Sequence, residues 1–180
     1  MIKSLNSKSY ILNSFGFTII ETLVVISVIV FLSSFLIFYS RTGENQIILF
    51  SEQSKLITAL NRTKSLSIQT FDSAQSSCAF GMHFSPAENA FLIFRDLAAD
   101  CQNTDYIYTN SDEILENYRL SSKIKFSELD LTDIVFIPPD PKILIDSDLN
   151  KIEAAITLET LDGNASLKVK VNNAGQITTN

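Results

Sequence analysis

One histidine in 180 residues, His83, leaves no second imidazole for a metal, so two-histidine zinc sites are excluded. It lies between Met82 and Phe84 in a predicted strand, where a structural or half-exposed role is expected rather than a general base. Glycine is as scarce: five in the chain, and no GxSxG, GxxxxGK[ST] or GxGxxG among them. Nucleophile-elbow, P-loop and dinucleotide chemistry therefore have no support, and the chain is read as a non-enzyme without a cofactor. With only four prolines besides, the composition argues against long disorder or low complexity. Tryptophan is absent, but thirteen phenylalanines supply core bulk.

Cysteine is limited to Cys78 and Cys101, with no CxxC. If the segment after residue 40 enters an oxidising compartment, the two would close a 24-residue loop. Such a bridge stabilises by roughly 3 kcal/mol in the chain-entropy picture; two unpaired buried thiols are the other reading. Basic residues are also in deficit, giving a net charge of −6. Removing residues 1–16 with Lys3 and Lys8 leaves twelve basic against twenty acidic residues, a net charge of −8. A domain so acidic is a poor generic binder of phosphate backbones, so nucleic acid is not the expected partner. The acids include a polar cluster of Asp96, Asp100, Asn103 and Asp105, oxygen donors of the kind Ca²⁺ takes. Their spacing is not that of an EF-hand loop and no glycine permits its sharp turn, so a solvated acidic loop is expected and no metal site.

What the chain has in abundance is one long stretch of apolar residues. From Phe17 to Tyr39 the only charge is Glu21. Phe17 to Ser40 would span about 36 Å as a helix, enough for a hydrocarbon core of roughly 30 Å. Lys3 and Lys8 precede it, which favours a cytoplasmic amino terminus and a carboxyl-terminal domain on the far side. A secretory signal peptide would have a shorter apolar run followed by a small residue at the cleavage point. Here the small residue, Gly16, comes first. A carboxylate inside a membrane helix costs about 2–3 kcal/mol and calls for a partner. Cleavage after Gly16 would create one, the α-amino group of Phe17.

A glycine, then Phe-Thr-Ile-Ile-Glu, then some twenty apolar residues resembles the signature of type IV pilins and type II secretion pseudopilins. The resemblance implies that a prepilin peptidase cuts after Gly16 and N-methylates Phe17, and that Glu21 aids assembly. It also implies a bacterial inner-membrane precursor, single-pass with its carboxyl-terminal domain in the periplasm. Assembly machinery would extract it from the lipid into a filament with other pilin or pseudopilin subunits. Many members carry proline where Phe38 stands here, so a kink tied to that proline is not implied. Further on, "FGMHFSPAENAFLIFRD", an Asp/Asn-rich loop, "EILENYRL" and "VKVNNAGQI" are similar to minor pseudopilins of the GspH/FimT type. Some FimT-like members capture DNA, the alternative function. That needs a basic surface, and the only basic groupings are Lys123/Lys125 and Lys168/Lys170, the latter expected to face Glu159.

The expected organisation is a leader over 1–16, a transmembrane and assembly helix over 17–40, its amphipathic continuation over 41–72 and a periplasmic β domain over 73–180. In the third segment Leu49, Gln53, Leu56, Leu60 and Thr63 or Lys64 recur every three or four residues, broadened by Ile57 and Ala59. Glu44, Glu52, Lys55, Arg62 and Lys64 are expected in solvent. A hairpin is predicted across 78–95, a short extended piece at Tyr106–Tyr108, and strands at "EILENYRL", "KIKFSEL", "DIVFIPP" and "KILID". Pro138-Pro139 favours an edge or an end for its strand. Asp146, Ser147, Asp148 and Asn150 suggest a turn. Ile156 and Leu158, then Leu167, Val169 and Val171, alternate with polar residues about the Asp162-Gly163 turn. The fold class is thus α+β: a long amino-terminal helix packed on a mostly antiparallel sheet or sandwich.

Overall fold

The computed structural model describes residues 18–69, 77–97, 101, 104–138 and 142–179, with backbone alone for 38–42. One helix, α1, runs Ile19–Gln69. By its contacts the chain forms two compact units, Met1–Arg41 and Thr42–Asn180. The second holds the whole of the β structure.

Within the second unit, α1 buries the predicted stripe. Leu49, Gln53, Leu56, Leu60 and Thr63 are all buried, and Ala59 widens the contact. The opposite face carries Ser54, Thr58, Asn61 and Ser65, all exposed. Three of their side chains bond to carbonyls one turn back, from Thr58 to Ser54, Asn61 to Ile57 and Ser65 to Asn61. Glu52 corrects the expected solvated face. It is 6% exposed, and its carboxylate takes the Lys55 ammonium at 2.6 Å. Its place on the flank of the stripe brings it under the strands, where a partner one turn away keeps the charge from being buried alone. The expected end of the helix at residue 72 lies outside the described residues.

Nine strands follow among the described residues, all antiparallel, in two sheets. β1 (Ala79–Ser85) and β2 (Ala90–Asp96) form the predicted hairpin. A 3₁₀ turn, Pro86–Glu88, joins them and is closed by Asn89 in the left-handed region. With β3 (Glu113–Arg119), β5 (Asp133–Ile137) and β6 (Lys142–Ile145) they make a five-stranded sheet ordered β3-β2-β1-β5-β6. β4 (Ile124–Leu129), β7 (Glu153–Thr160), β8 (Ser166–Asn172) and β9 (Ile177–Thr179) form the second sheet in that order. The β7–β8 register sets Ile156 opposite Val169 and Leu158 opposite Leu167, as the alternation requires. Gly163 turns that hairpin at φ +72° and Gly175 the next at φ +76°.

The inner faces of both sheets close on α1 in one core. Leu56 and Leu60 meet Phe84, Phe91 and Phe136 of the first sheet and Ile156, Leu158 and Val169 of the second. Polar bonds lock the helix in place. Ser67 Oγ donates to the Phe136 carbonyl at 3.1 Å, and Lys64 Nζ to the Gly175 carbonyl at 3.0 Å.

One strand expectation is corrected, and the proline-stopped strand meets the second of its two alternatives, an end rather than an edge. Tyr106–Tyr108 forms no strand, because Tyr106 takes φ +54°, which breaks extended pairing. β5 does end before Pro138, but it lies between β1 and β6 rather than at an edge. The proline follows the last ladder position, so no interior hydrogen bond is lost.

Candidate functional site

Among the described residues, the first unit presents an apolar helix with nothing of its own to bury against. Ile19–Ile37 is long and apolar enough to cross a membrane, and none of it is buried. The helix opens on Thr18, whose carbonyl accepts the Glu21 and Thr22 amides at 3.1 and 3.2 Å. Thr18 Oγ1 also accepts the Glu21 amide at 3.3 Å. Thr18-Ile19-Ile20-Glu21 therefore has the spacing of a capping box, and the Glu21 carboxylate stands in the first turn, where the helix dipole favours an anion. The sequence reading missed Thr18; the T-x-x-E spacing ahead of an apolar run was the available signal.

Other polar side chains of this segment are satisfied within the helix. Thr22, Ser27, Ser33 and Ser34 donate their hydroxyls to the carbonyls of Ile19, Val24, Ile29 and Phe31 at 2.6–2.8 Å. Glu21 differs. It is exposed, and its carboxylate has no side-chain partner among the described residues. Gly16 and Phe17, the predicted cleavage and methylation positions, lie outside the described residues.

The remaining predicted positions fall in the second unit. Cys78, buried, and Cys101, exposed, are joined by a disulfide with their Cα atoms 5.0 Å apart. Of the four oxygen donors weighed for calcium, Asp100 and Asn103 lie outside the described residues. Asp96 is buried and accepts the Thr104 hydroxyl at 2.6 Å, while Asp105 is exposed and accepts the Ile107 amide at 3.2 Å. Among the described residues no cluster of three metal-ligating side chains forms.

His83 sits in a setting invisible to local sequence. It lies on the outer face of the five-stranded sheet, directly opposite Asp133, and its Nδ1 is 2.9 Å from that carboxylate. The Tyr108 ring lies 4.8 Å away, centroid to centroid. Burial pushes the Asp133 carboxyl above its usual range, against the opposing pull of the His83 hydrogen bond. Asp146 behaves in the opposite way. Burial would raise it, but Lys151 and the amides of Asp133 and Thr132 together hold it below the ordinary value. Its Oδ1 accepts both amides, at 3.0 and 2.6 Å, from within the left-handed Asp146-Ser147 turn.

Basic side chains of the second sheet are matched with acids. Lys125 pairs with Glu159 at 3.5 Å, Lys168 with Glu128 at 3.5 Å and Lys170 with Glu153 at 2.7 Å. Glu159 and Lys168 line one groove on neighbouring strands, as expected, but the ion pair of Glu159 is with Lys125, directly opposite it on β4, while Lys168 takes Glu128. Lys123 pairs with Glu44 at 2.7 Å. No family model, curated protein or solved structure matches the chain.

Proposed function

We propose that this chain is a filament subunit of the type IV pilin and type II pseudopilin class, placed in the bacterial inner membrane and matured between Gly16 and Phe17. The observation that carries the reading is the Glu21 carboxylate. It is the one acid of an apolar helix whose hydroxyls are already satisfied by their own backbone. In hydrocarbon such a group needs a cation, and the new amine of Phe17, methylated or not, supplies a charge at the same end of the helix. Pairing the amine of one subunit with Glu21 of its neighbour would draw subunits together in register, while apolar packing along Ile19–Ile37 holds them. The β domain would then choose neighbours. Its motifs favour a minor subunit of the GspH/FimT type.

DNA capture has less behind it. The lysines grouped at 123/125 and 168/170 are each neutralised by a carboxylate, which leaves little positive field for a phosphate backbone.

The test is to coexpress the full chain with a prepilin peptidase and determine the mass and amino-terminal sequence of the product. The expected product begins at Phe17 and carries one extra methyl group. Recovery of an intact Met1 from cells whose peptidase processes a known prepilin would overturn the reading.

A further inference from the structure

The outer face of the five-stranded sheet is as apolar as its core face at the centre. Ala79, Phe94 and Val135 are each fully buried there. Among the described residues, what covers them is not another sheet or helix but residues 104–112, part of the connection from β2 to β3. This strap lays Tyr106 and Tyr108 on the cluster, with the Tyr108 ring 5.3 Å from that of Phe94 and 4.8 Å from that of His83. The end of the Phe94 ring in turn lies over Gly81, directly opposite it on β1.

Little of the strap's own backbone holds it there. It belongs to no strand, so it gains no ladder of hydrogen bonds. Tyr106 sits at φ +54°, a conformation that L side chains other than Asn and Asp rarely adopt. Besides the two tyrosine rings, it is held by polar bonds: Thr104 to Asp96 at 2.6 Å, the Tyr108 amide to the Asp133 carboxylate, the Leu97 amide to Asp112 at 3.4 Å, and Ser147 to the Asp105 carbonyl. The Tyr106 hydroxyl donates to the Cys101 carbonyl at 3.2 Å, tying the strained residue to the cysteine itself. Cys101 is bonded to Cys78, the residue before β1, so the disulfide anchors the start of the strap to the beginning of the sheet's central strand.

We propose that the Cys78–Cys101 disulfide is a redox-sensitive latch, which holds residues 104–112 across the outer face of the five-stranded sheet and on reduction lets them leave it. The reductant is a dithiol. Its thiolate attacks the sulfur of Cys101, the exposed residue of the pair, the Sγ–Sγ bond breaks, and Cys78 departs as the thiolate and takes a proton. The second thiol then releases Cys101 as a thiol, and the reductant ends as a cyclic disulfide, two electrons and two protons having moved to the protein. The core around α1 does not include the latch, so it survives the step. The apolar strip of Phe94, Val135 and Ala79 is then covered in the oxidised protein and open to solvent in the reduced one. This holds whether or not the chain enters a filament.

The experiment is hydrogen exchange, read by mass spectrometry, on the full chain in detergent micelles with and without dithiothreitol, thiol titration confirming two free cysteines after treatment. Protection across 104–112 is expected to fall by about tenfold or more, while the β7–β8 hairpin keeps its protection. The Cys101→Ser variant should reproduce the reduced pattern without any reductant. Equal protection of 104–112 in both states would overturn the latch. So would a loss of protection over the whole domain, in reduced protein or in C101S, since the bridge would then be a general stabiliser. Two free thiols in protein purified from an oxidising compartment would also sink it.

Discussion

Gly81 and Phe94 show how closely single residues are fitted here. A Cβ built on Gly81 would stand 2.3 Å from the Phe94 ring, and that ring is pinned from above by Tyr108. Gly81→Ala is therefore expected to destabilise the folded domain by about 1–3 kcal/mol in urea unfolding. Phe94→Leu should recover part of that loss in the double variant, since the two positions share one space. Charge acts at the same scale. Because burial pushes the Asp133 carboxyl up, the folded chain holds more protons than the unfolded one between the ordinary aspartate range and the raised value. Stability should fall as pH rises through that window. Asp146 is displaced the other way, so its contribution is complete above the ordinary range and is lost as pH falls below it. Asp133→Asn is expected to flatten the upper slope and leave the lower one, as measured by urea unfolding over a series of pH values.

Among the elements, the outer half of α1 follows its pattern most faithfully. Leu60 is fully buried between the sheets, whereas Thr58 faces away. Leu60→Ala should cost about 2–5 kcal/mol. Thr58→Ala should stay within about 0.5 kcal/mol of the parent protein, a contrast that denaturant midpoints will display. Strands with one wet face were as easy to read: β7 and β8 alternate and pair in the expected register. β1 and β5 were harder. Both are buried on both faces, so their apolar runs mark a strand without saying what covers either side. The strap was hardest, because its conformation depends on Tyr106 at positive φ and a covalent anchor, neither of which has a periodic signal.

For the molecule as a whole, the decisive group under the proposed function is Glu21, whose effect would belong to assembly rather than to folding. It stands in the first unit and is not a member of the core of the second. Glu21→Ala should leave membrane insertion and cleavage unchanged, since the apolar span is untouched. Crosslinking between neighbouring subunits should drop by about tenfold, the effect of losing roughly 1.4 kcal/mol of pairing. Membrane fractionation alongside a crosslinking assay reads both quantities; normal crosslinking by the variant would count against the amine–carboxylate pair.

The sequence by itself determined whatever depends on near neighbours along the chain: the apolar span, its isolated acid, the amphipathic stripe from Leu49 to Thr63, and the turns at Gly163 and Gly175. Each is a matter of local periodicity or of a backbone angle that one residue type tolerates. Only the tertiary structure decided which residues fifty positions apart would meet. His83 and Asp133 come together through sheet order, Glu52 is buried because strands close over its flank, and Lys125 rather than Lys168 takes Glu159 because β4 pairs with β7 in that register. Strand order is set by the joint packing of both sheets on one helix, and no short stretch of residues carries that information.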